Sequence, residues 1–259
     1  PDGGTSTLYT GGIRIYGTDH VIVNNYMQGL QGTRWDAPIA LTQGDAIAGS
    51  SSSLSKHFRA ERILIAYNTF VDNAHGIEIG FDNNGNYSKG LKDITLAHNL
   101  VLGSENSLIA YMDGNTQGGE LSWFNNLMIP SGNATLTNNG QSFSNGEIQG
   151  GDAQLVWEEP YWRASAQTPM WAASPSLTPL AQDIEGQART MPSTVGADHF
   201  STDSVLYGPL FPEEVGPYAG TRASTTSLLP FSHQTLPIEV IPQPASEHFR
   251  LNYIPRDLR

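Results

Sequence analysis

The sequence predicts an all-β chain: a right-handed parallel β-helix, a solenoid of stacked coils, with a C-terminal capping region and an extended tail. Three observations carry this. One phrase recurs at residues 62–71 (RILIAYNTFV), 93–102 (DITLAHNLVL) and 120–129 (ELSWFNNLMI), with an earlier copy at 20–27 (HVIVNNYM). Aligned on asparagine, the copies place Asn25, Asn68, Asn99 and Asn126 at steps of 43, 31 and 27 residues. Each copy is followed by a second short alternating run, at 38–44, 76–82, 107–113 and 134–140. Short strands repeating at this interval make a repeat fold. The steps are too uneven for a propeller, and there is no helical periodicity.

In chain order, residues 1–10 are polar and read as a loop, and 11–17 (GGIRIYG) as the first strand. Alternate side chains of a strand face opposite ways, so Ile13 and Ile15 point inward and Arg14 and Tyr16 outward. The same parity in 76–82 turns Ile77 and Ile79 inward and Glu78 outward. The four asparagines fall where the chain must bend; Asn tolerates the left-handed region and bonds nearby backbone there. Stacked Asn side chains can also bond one another along the axis, a structural role.

Residues 45–59 are rich in Ser, Ala and Gly, break the repeat and account for the step of 43. Such excursions gather where solenoids bind ligands. Residues 82–86 (DNNGN) resemble an oxygen-rich calcium loop, but Tyr87 stands where that loop requires Gly and no Glu occupies its twelfth position, so a turn is expected. His20, His75 and His98 lie in different coils without metal-ligand spacing and read as turn or surface histidines. Residues 153–163 and 169–175, rich in aromatics and proline, are expected to cap or wrap the open end of the coils. The chain thus divides into 1–199, coils and cap, and 200–259, a Pro-rich extension.

Of 259 residues, 15% are charged, none is cysteine, and the net charge is −12. No basic stripe is available to neutralise a nucleic-acid backbone, and no apolar run is long enough to cross a membrane. An anion site must be a local cluster, for which Arg14, Arg34, Arg59 and Arg62 are the densest candidates. The opening Pro1-Asp2-Gly3-Gly4 reads as a turn inside a larger molecule, as in a processed or fragmentary chain.

The phrase Gly11-Gly12-Ile13-Arg14-Ile15-Tyr16-Gly17-x-x-His20-Val21-Ile22-Val23-Asn24-Asn25-Tyr26 resembles a segment of polysaccharide lyase family 6, the alginate lyases and chondroitinase B. Further matches are Gly29-Leu30-x-Gly32-Thr33-Arg34-Trp35, Asn68-Thr69-Phe70-Val71, and Asp183-Ile184-x-Gly186-x-x-Arg189 leading to Val195-Gly196-Ala197-Asp198. The resemblance covers residues 3–200; Thr18 stands where the family often has an acidic residue. It implies a lyase cutting a uronate polymer by β-elimination. The C5 proton leaves, the C4 oxygen is expelled, and the sugar carboxylate must be neutralised for the proton to become acidic. The family uses calcium as neutraliser, a lysine base and an arginine acid, all on coils preceding the Gly-Gly-Ile-Arg strand. The resemblance therefore implies that the catalytic residues and calcium ligands lie upstream of Pro1, on coils supplied as a separate chain or cleaved segment. It makes Arg14 a substrate contact, with Arg34 and Tyr16 beside it, and implies a secreted or periplasmic location.

Two other readings stand beside an alginate, dermatan or chondroitin lyase. A β-helical hydrolase needs paired carboxylates, for which Glu78, Asp82 and Asp113 are available. A non-catalytic carbohydrate-binding solenoid would use Arg14, Tyr16, Trp35 and Tyr111.

Overall fold

The computed structural model describes residues 11–31, 36–47, 56–112, 119–172 and 180–209. Residues 1–209 form one compact unit. Residues 210–259, most of the expected extension, lie outside the described residues, as do Arg34, Trp35 and Asp113.

Every described element is a strand. In chain order they are β1 (Ile13–Ile15), β2 (Val21–Val23), β3 (Tyr26–Gln28), β4 (Ile39–Thr42), β5 (Glu61–Ala66), β6 (Thr69–Phe81), β7 (Leu91–Ala97) and β8 (Leu100–Tyr111). There follow β9 (Gly119–Phe124), β10 (Asn126–Ile129), β11 (Thr135–Thr137), β12 (Ile148–Gln149), β13 (Val156–Glu158), β14 (Tyr161–Arg163), β15 (Met170–Trp171) and β16 (Ser193–Thr194). One parallel sheet runs β2-β5-β7-β9, and a second runs β1-β4-β6-β8-β10-β12, with β3 on β6 and β11 on β8. The chain leaves one sheet, enters the other and returns one strand further along, consistent with the coils of a parallel β-helix.

The register converts strand parity into apolar columns. Ile13, Ile39, Ile77 and Ile109 stack as one column, and Ile15, Leu41, Ile79 and Tyr111 as a second. Met27, Phe70, Val101 and Met128 form a third. Ile22, Ile65, Leu96 and Trp123 face them from the other sheet. All but the half-buried Ile13 are buried, in a single core. Tyr111 is therefore a core residue, contrary to its expected role as a sugar contact.

The asparagine column forms as expected. Asn25 Nδ2 donates to Asn68 Oδ1 at 2.9 Å, Asn68 Nδ2 to Asn99 Oδ1 at 2.9 Å, and Asn99 Nδ2 to Asn126 Oδ1 at 3.0 Å. Each acceptor oxygen also takes the backbone N–H of the preceding asparagine. The left-handed residues, however, stand one position earlier than expected: Asn24, Tyr67, His98 and Asn125 have φ of 49–54°. The bend precedes the ladder because the ladder asparagine must keep its N–H aimed along the axis. Asp19, Arg62 and Asp93 make a second left-handed corner, and Gly29, Asp72 and Gly103 a third.

The C-terminal segment does more than cap an end. It returns along the outside of the asparagine corner. Asn24 Nδ2 donates to Gln182 O, Asn125 Nδ2 to Ala172 O, and the Gly196 N–H to His98 O. Leu180 packs on the Ala66 and Ala97 column. Arg189, buried, donates to Ser193 Oγ, Asn24 Oδ1 and the carbonyls of Thr194, Gly196 and Ala197. Burial lowers its pKa to about 10. The β13–β14 hairpin reaches the first coil, where the Trp162 N–H donates to Tyr26 Oη. Its Tyr161 and Arg163 meet buried Glu185, and the buried Asp198 accepts the Ala164 N–H at 2.7 Å. Burial pushes the Asp198 carboxyl up to about 6.

His98 corrects the expectation of a turn or surface histidine in part. It occupies the turn but is fully buried, stacked on Tyr67 at 4.8 Å, and burial lowers its pKa to about 4. His20 is exposed, and His75 is half-buried beside Ser107. The 82–86 segment is a turn, with the Gly85 N–H donating to Asp82 Oδ1.

Candidate functional site

Arg14 lies on the outward side of β1, in register with Ala40 of β4, which in turn pairs with Glu78 of β6 and, beyond it, Ala110 of β8. Adjacent strands are about 4.8 Å apart, so Arg14 and Glu78 stand roughly 10 Å apart at Cα with a small residue between them. The Arg14 guanidinium also sits 5.4 Å from the Phe81 ring centroid, a cation–π contact.

Three further rings gather there. His57, from the far end of the 45–59 excursion, stacks on Tyr87 at 4.5 Å and lies against Tyr16 at 4.7 Å. Tyr87 meets Phe81 edge-on. Tyr16 is 52% exposed, so the row offers solvent one open ring beside a cation. Asp45 Oδ1 accepts the His57 N–H at 2.7 Å and anchors that end of the excursion. Burial, and then the Arg14 charge, lower the His57 pKa.

Glu78 points away from the core as parity requires, yet it is buried rather than solvated. Asp36 covers it: the Asp36 N–H donates to Glu78 Oε1 at 3.3 Å, and Asp36 is itself buried. Burial first and the Asp36 charge second push the Glu78 carboxyl up to about 8.

Of the expected anion-site arginines, Arg14 belongs to this cluster. Arg59 pairs with Glu61 at 2.8 Å, and Arg62 pairs with Asp19 at 2.7 Å and with Glu61 at 2.7 Å, so both are neutralised. Arg34 lies outside the described residues. Sequence reasoning missed the rings of His57 and Tyr87 and the Asp36 cover on Glu78; the position of His57 at the close of the excursion was the available signal. A guanidinium on an aromatic ledge can hold a carboxylate bidentately while an exposed ring face packs on sugar C–H groups.

The strands that carry this cluster are at an edge. β1 and β2 each end their sheets, and an open cavity of about 220 Å³ there is lined by Ile13, Arg14, Ile15, His20, Val21 and Ile22. Among the described residues no group of three or more His, Asp or Glu side chains is placed to hold a metal ion. Nor is any helix there long and apolar enough to cross a membrane.

The chondroitinase B family model matches residues 3–118. No curated protein matches the chain. Among solved structures, a mutant of the PL6 family alginate lyase AlyGC is similar at 18% identity and a TM-score of 0.47, over 78% of this chain and 24% of that one. A second AlyGC structure is similar at 21% identity and a TM-score of 0.45, over 61% of this chain and 20% of that one. The chain spans about a quarter of the length of the first of these. The segment 3–118, where Arg14, Glu78 and their aromatic neighbours lie, thus matches the sequence pattern of the chondroitinase B family.

Proposed function

We propose that this chain is part of a right-handed parallel β-helical polysaccharide lyase that cleaves a uronate-containing polysaccharide, alginate ahead of dermatan or chondroitin, by β-elimination. The observation that carries the reading is the outward Arg14 beside Tyr16 and His57, within the segment that matches the chondroitinase B family. With 13 basic residues in 259, a polymer bearing one carboxylate per sugar suits the surface better than a sulfated one. In this reading Arg14 binds and orients the sugar carboxylate, Tyr16 offers the ring face that packs on the sugar, and Arg34 serves a neighbouring sugar. The base and the acid belong to further coils seated on the β1 and β2 edge, as a separate chain or a cleaved segment. Calcium, by the same reading, belongs with those coils. A secreted or periplasmic location follows from a polymeric substrate. Residues 1–199 act as coils and cap, and 200–259 as an extension.

The test compares the chain alone with the chain joined to, or mixed with, the upstream coils. Alginate is the substrate, and the ultraviolet absorbance of the unsaturated product is followed. Product only when the upstream coils are present supports the reading; equal turnover by the chain alone overturns it.

The run of rings from Tyr16 through His57 to Tyr87 favours a second reading, a carbohydrate-binding β-helix without catalysis. Binding of oligouronates with no product from any assembly would select it.

A further inference from the structure

The asparagine ladder has a direction. Each member gives its side-chain N–H and its backbone N–H to the amide oxygen of the next, from Asn25 towards Asn126. The far end is closed: Asn126 Nδ2 donates to Glu147 O, and the Glu147 N–H is itself spent on Ser144 O. The near end is open. Asn25 is half-buried and donates through Nδ2 to Asn68 Oδ1 and Val23 O, but its own Oδ1 takes no hydrogen bond among the described residues. In Asn68, Asn99 and Asn126 that same atom receives two donors. Residues 1–23 contain neither asparagine nor glutamine, so they offer no side-chain amide to continue the run.

The backbone beside Asn25 is open in the same way. β2 ends its sheet, and β3 pairs with β6 alone. In a parallel ladder a residue sends its N–H and C=O towards the same neighbour, and successive residues alternate. His20 O accepts the Leu64 N–H and the Asn24 N–H reaches Tyr67 O, while Asn25 O accepts the Thr69 N–H and the Gly29 N–H reaches Val71 O. Val21, Val23, Tyr26 and Gln28 therefore turn their N–H groups to the open side. Edges of this kind are ordinarily blunted by proline, lysine or a covering loop. β2 and β3 carry neither proline nor lysine, and Val21 is 64% exposed. The cavity bordered by Ile13, Ile15 and Ile22 lies at this edge, where the apolar columns stop.

We propose that this edge is a recognition site for a strand–asparagine–strand corner. Two short parallel strands seat on β2 and β3, and the asparagine between them donates its Nδ2 and backbone N–H to Asn25 Oδ1. An inward apolar side chain of the same corner enters the cavity. This rests on the reading that further coils sit on this edge, and it names the group they must present. Main-chain pairing supplies the affinity and the buried amide supplies the register. The direction of the ladder excludes a second copy of this chain stacked end to end. Such a copy would present its Glu147 corner, whose N–H is already used, and acceptor would meet acceptor.

The test uses the full chain, labelled with 15N, and a synthetic peptide of residues 92–102 (KDITLAHNLVL), which carries the third corner of this chain with Asn99 in it. Two further peptides carry Asn99→Asp and Asn99→Leu. The Asn99 peptide is expected to shift the Asn25 side-chain amide resonance. It should also slow hydrogen exchange at Val21, Val23, Tyr26 and Gln28 by about tenfold or more. The Asp and Leu peptides lack the amide donor and are expected to bind about tenfold more weakly in the same NMR titration. Only the peptide varies, so the fold of the chain is the same in every measurement. Equal affinity of the three peptides, protection of other strands instead, or no binding overturns the proposal. So does dimerisation of the chain that protects the same four amides, since a second copy would then be the occupant. A preference for the Asn99 peptide upholds the proposal even if no assembly yields unsaturated product, a result that would remove the lyase reading alone. Product from the assembled coils without that preference would leave the lyase reading and remove the asparagine bond.

Discussion

The Arg189 guanidinium lies 4.4 Å from the ring centroid of Tyr67, a residue 122 positions earlier that turns the second asparagine corner. The contact joins the returning C-terminal segment to the coils. Arg189→Met should leave the carbonyls of Thr194, Gly196 and Ala197 without their donor and cost about 2–4 kcal/mol. Denaturant unfolding measures the loss, and limited proteolysis should cut residues 180–199 sooner than in the wild type.

Asn68, like Asn99, has ladder partners on both sides. Its side chain accepts from Asn25 and donates to Asn99 Oδ1 and to the carbonyls of Ile22 and Ala66. Asn68→Ala should destabilise by about 2–4 kcal/mol, because buried donors and acceptors on two coils lose partners at once. Asn68→Asp restores an acceptor but no donor, and unfolding curves should rank it below the wild type.

His98 is held neutral. Its pKa falls from 6.5 to about 4 through burial, with the Arg189 charge adding to the effect. As pH drops through 6.5 the unfolded chain takes up a proton that the folded chain refuses, so stability falls until about pH 4 and then levels. The loss should reach about 3 kcal/mol. His98→Phe, which keeps a ring against Tyr67, should remove that part of the acid limb when unfolding is measured at several pH values.

Gly196 has φ of +85°, and a Cβ there would meet Thr69 Oγ1 at 2.5 Å. That hydroxyl accepts the Ala197 N–H at 2.9 Å. Gly196→Ala should cost about 1–3 kcal/mol, from left-handed strain together with displacement of Thr69, visible as a lowered thermal midpoint.

Arg14→Lys keeps the charge and loses the bidentate fork. In the assembled enzyme, if Arg14 holds the reacting sugar, kcat/KM should fall roughly tenfold to a thousandfold; if it only anchors substrate, KM should rise with kcat little changed. Wild-type kinetics at matched stability would remove it from the site.

The coils were legible because each copy carries a hydrophobic alternation and an amide that has no use unless another stands beside it. Asn25 through Asn126 therefore announced their stacking, and Ile13 and Ile15 their orientation. Parity correctly turned Glu78 away from the core, but whether that side is solvated depends on Asp36, 42 residues earlier, and on how coils of unequal length align. The bend one residue ahead of each ladder asparagine was hidden for a different reason: Tyr67 is a poor left-handed residue by type, yet it takes that conformation with its side chain buried. The destination of Arg189 was likewise invisible, since a Gly- and Asp-rich phrase does not say which corner it will cover.

The ladder contacts span steps of 43, 31 and 27 residues yet differ by only 0.1 Å. Axial advance is thus independent of how much chain each turn contains, and surplus sequence can leave through a neck without disturbing the stack. Such a neck exists where Ala46 pairs with Phe58 and the Arg59 N–H closes on Ala46 O. If the Arg14 face binds sugar as proposed, a foreign peptide grafted between those residues should alter what that face recognises while leaving the architecture beneath it in place, making recognition and scaffold separately editable.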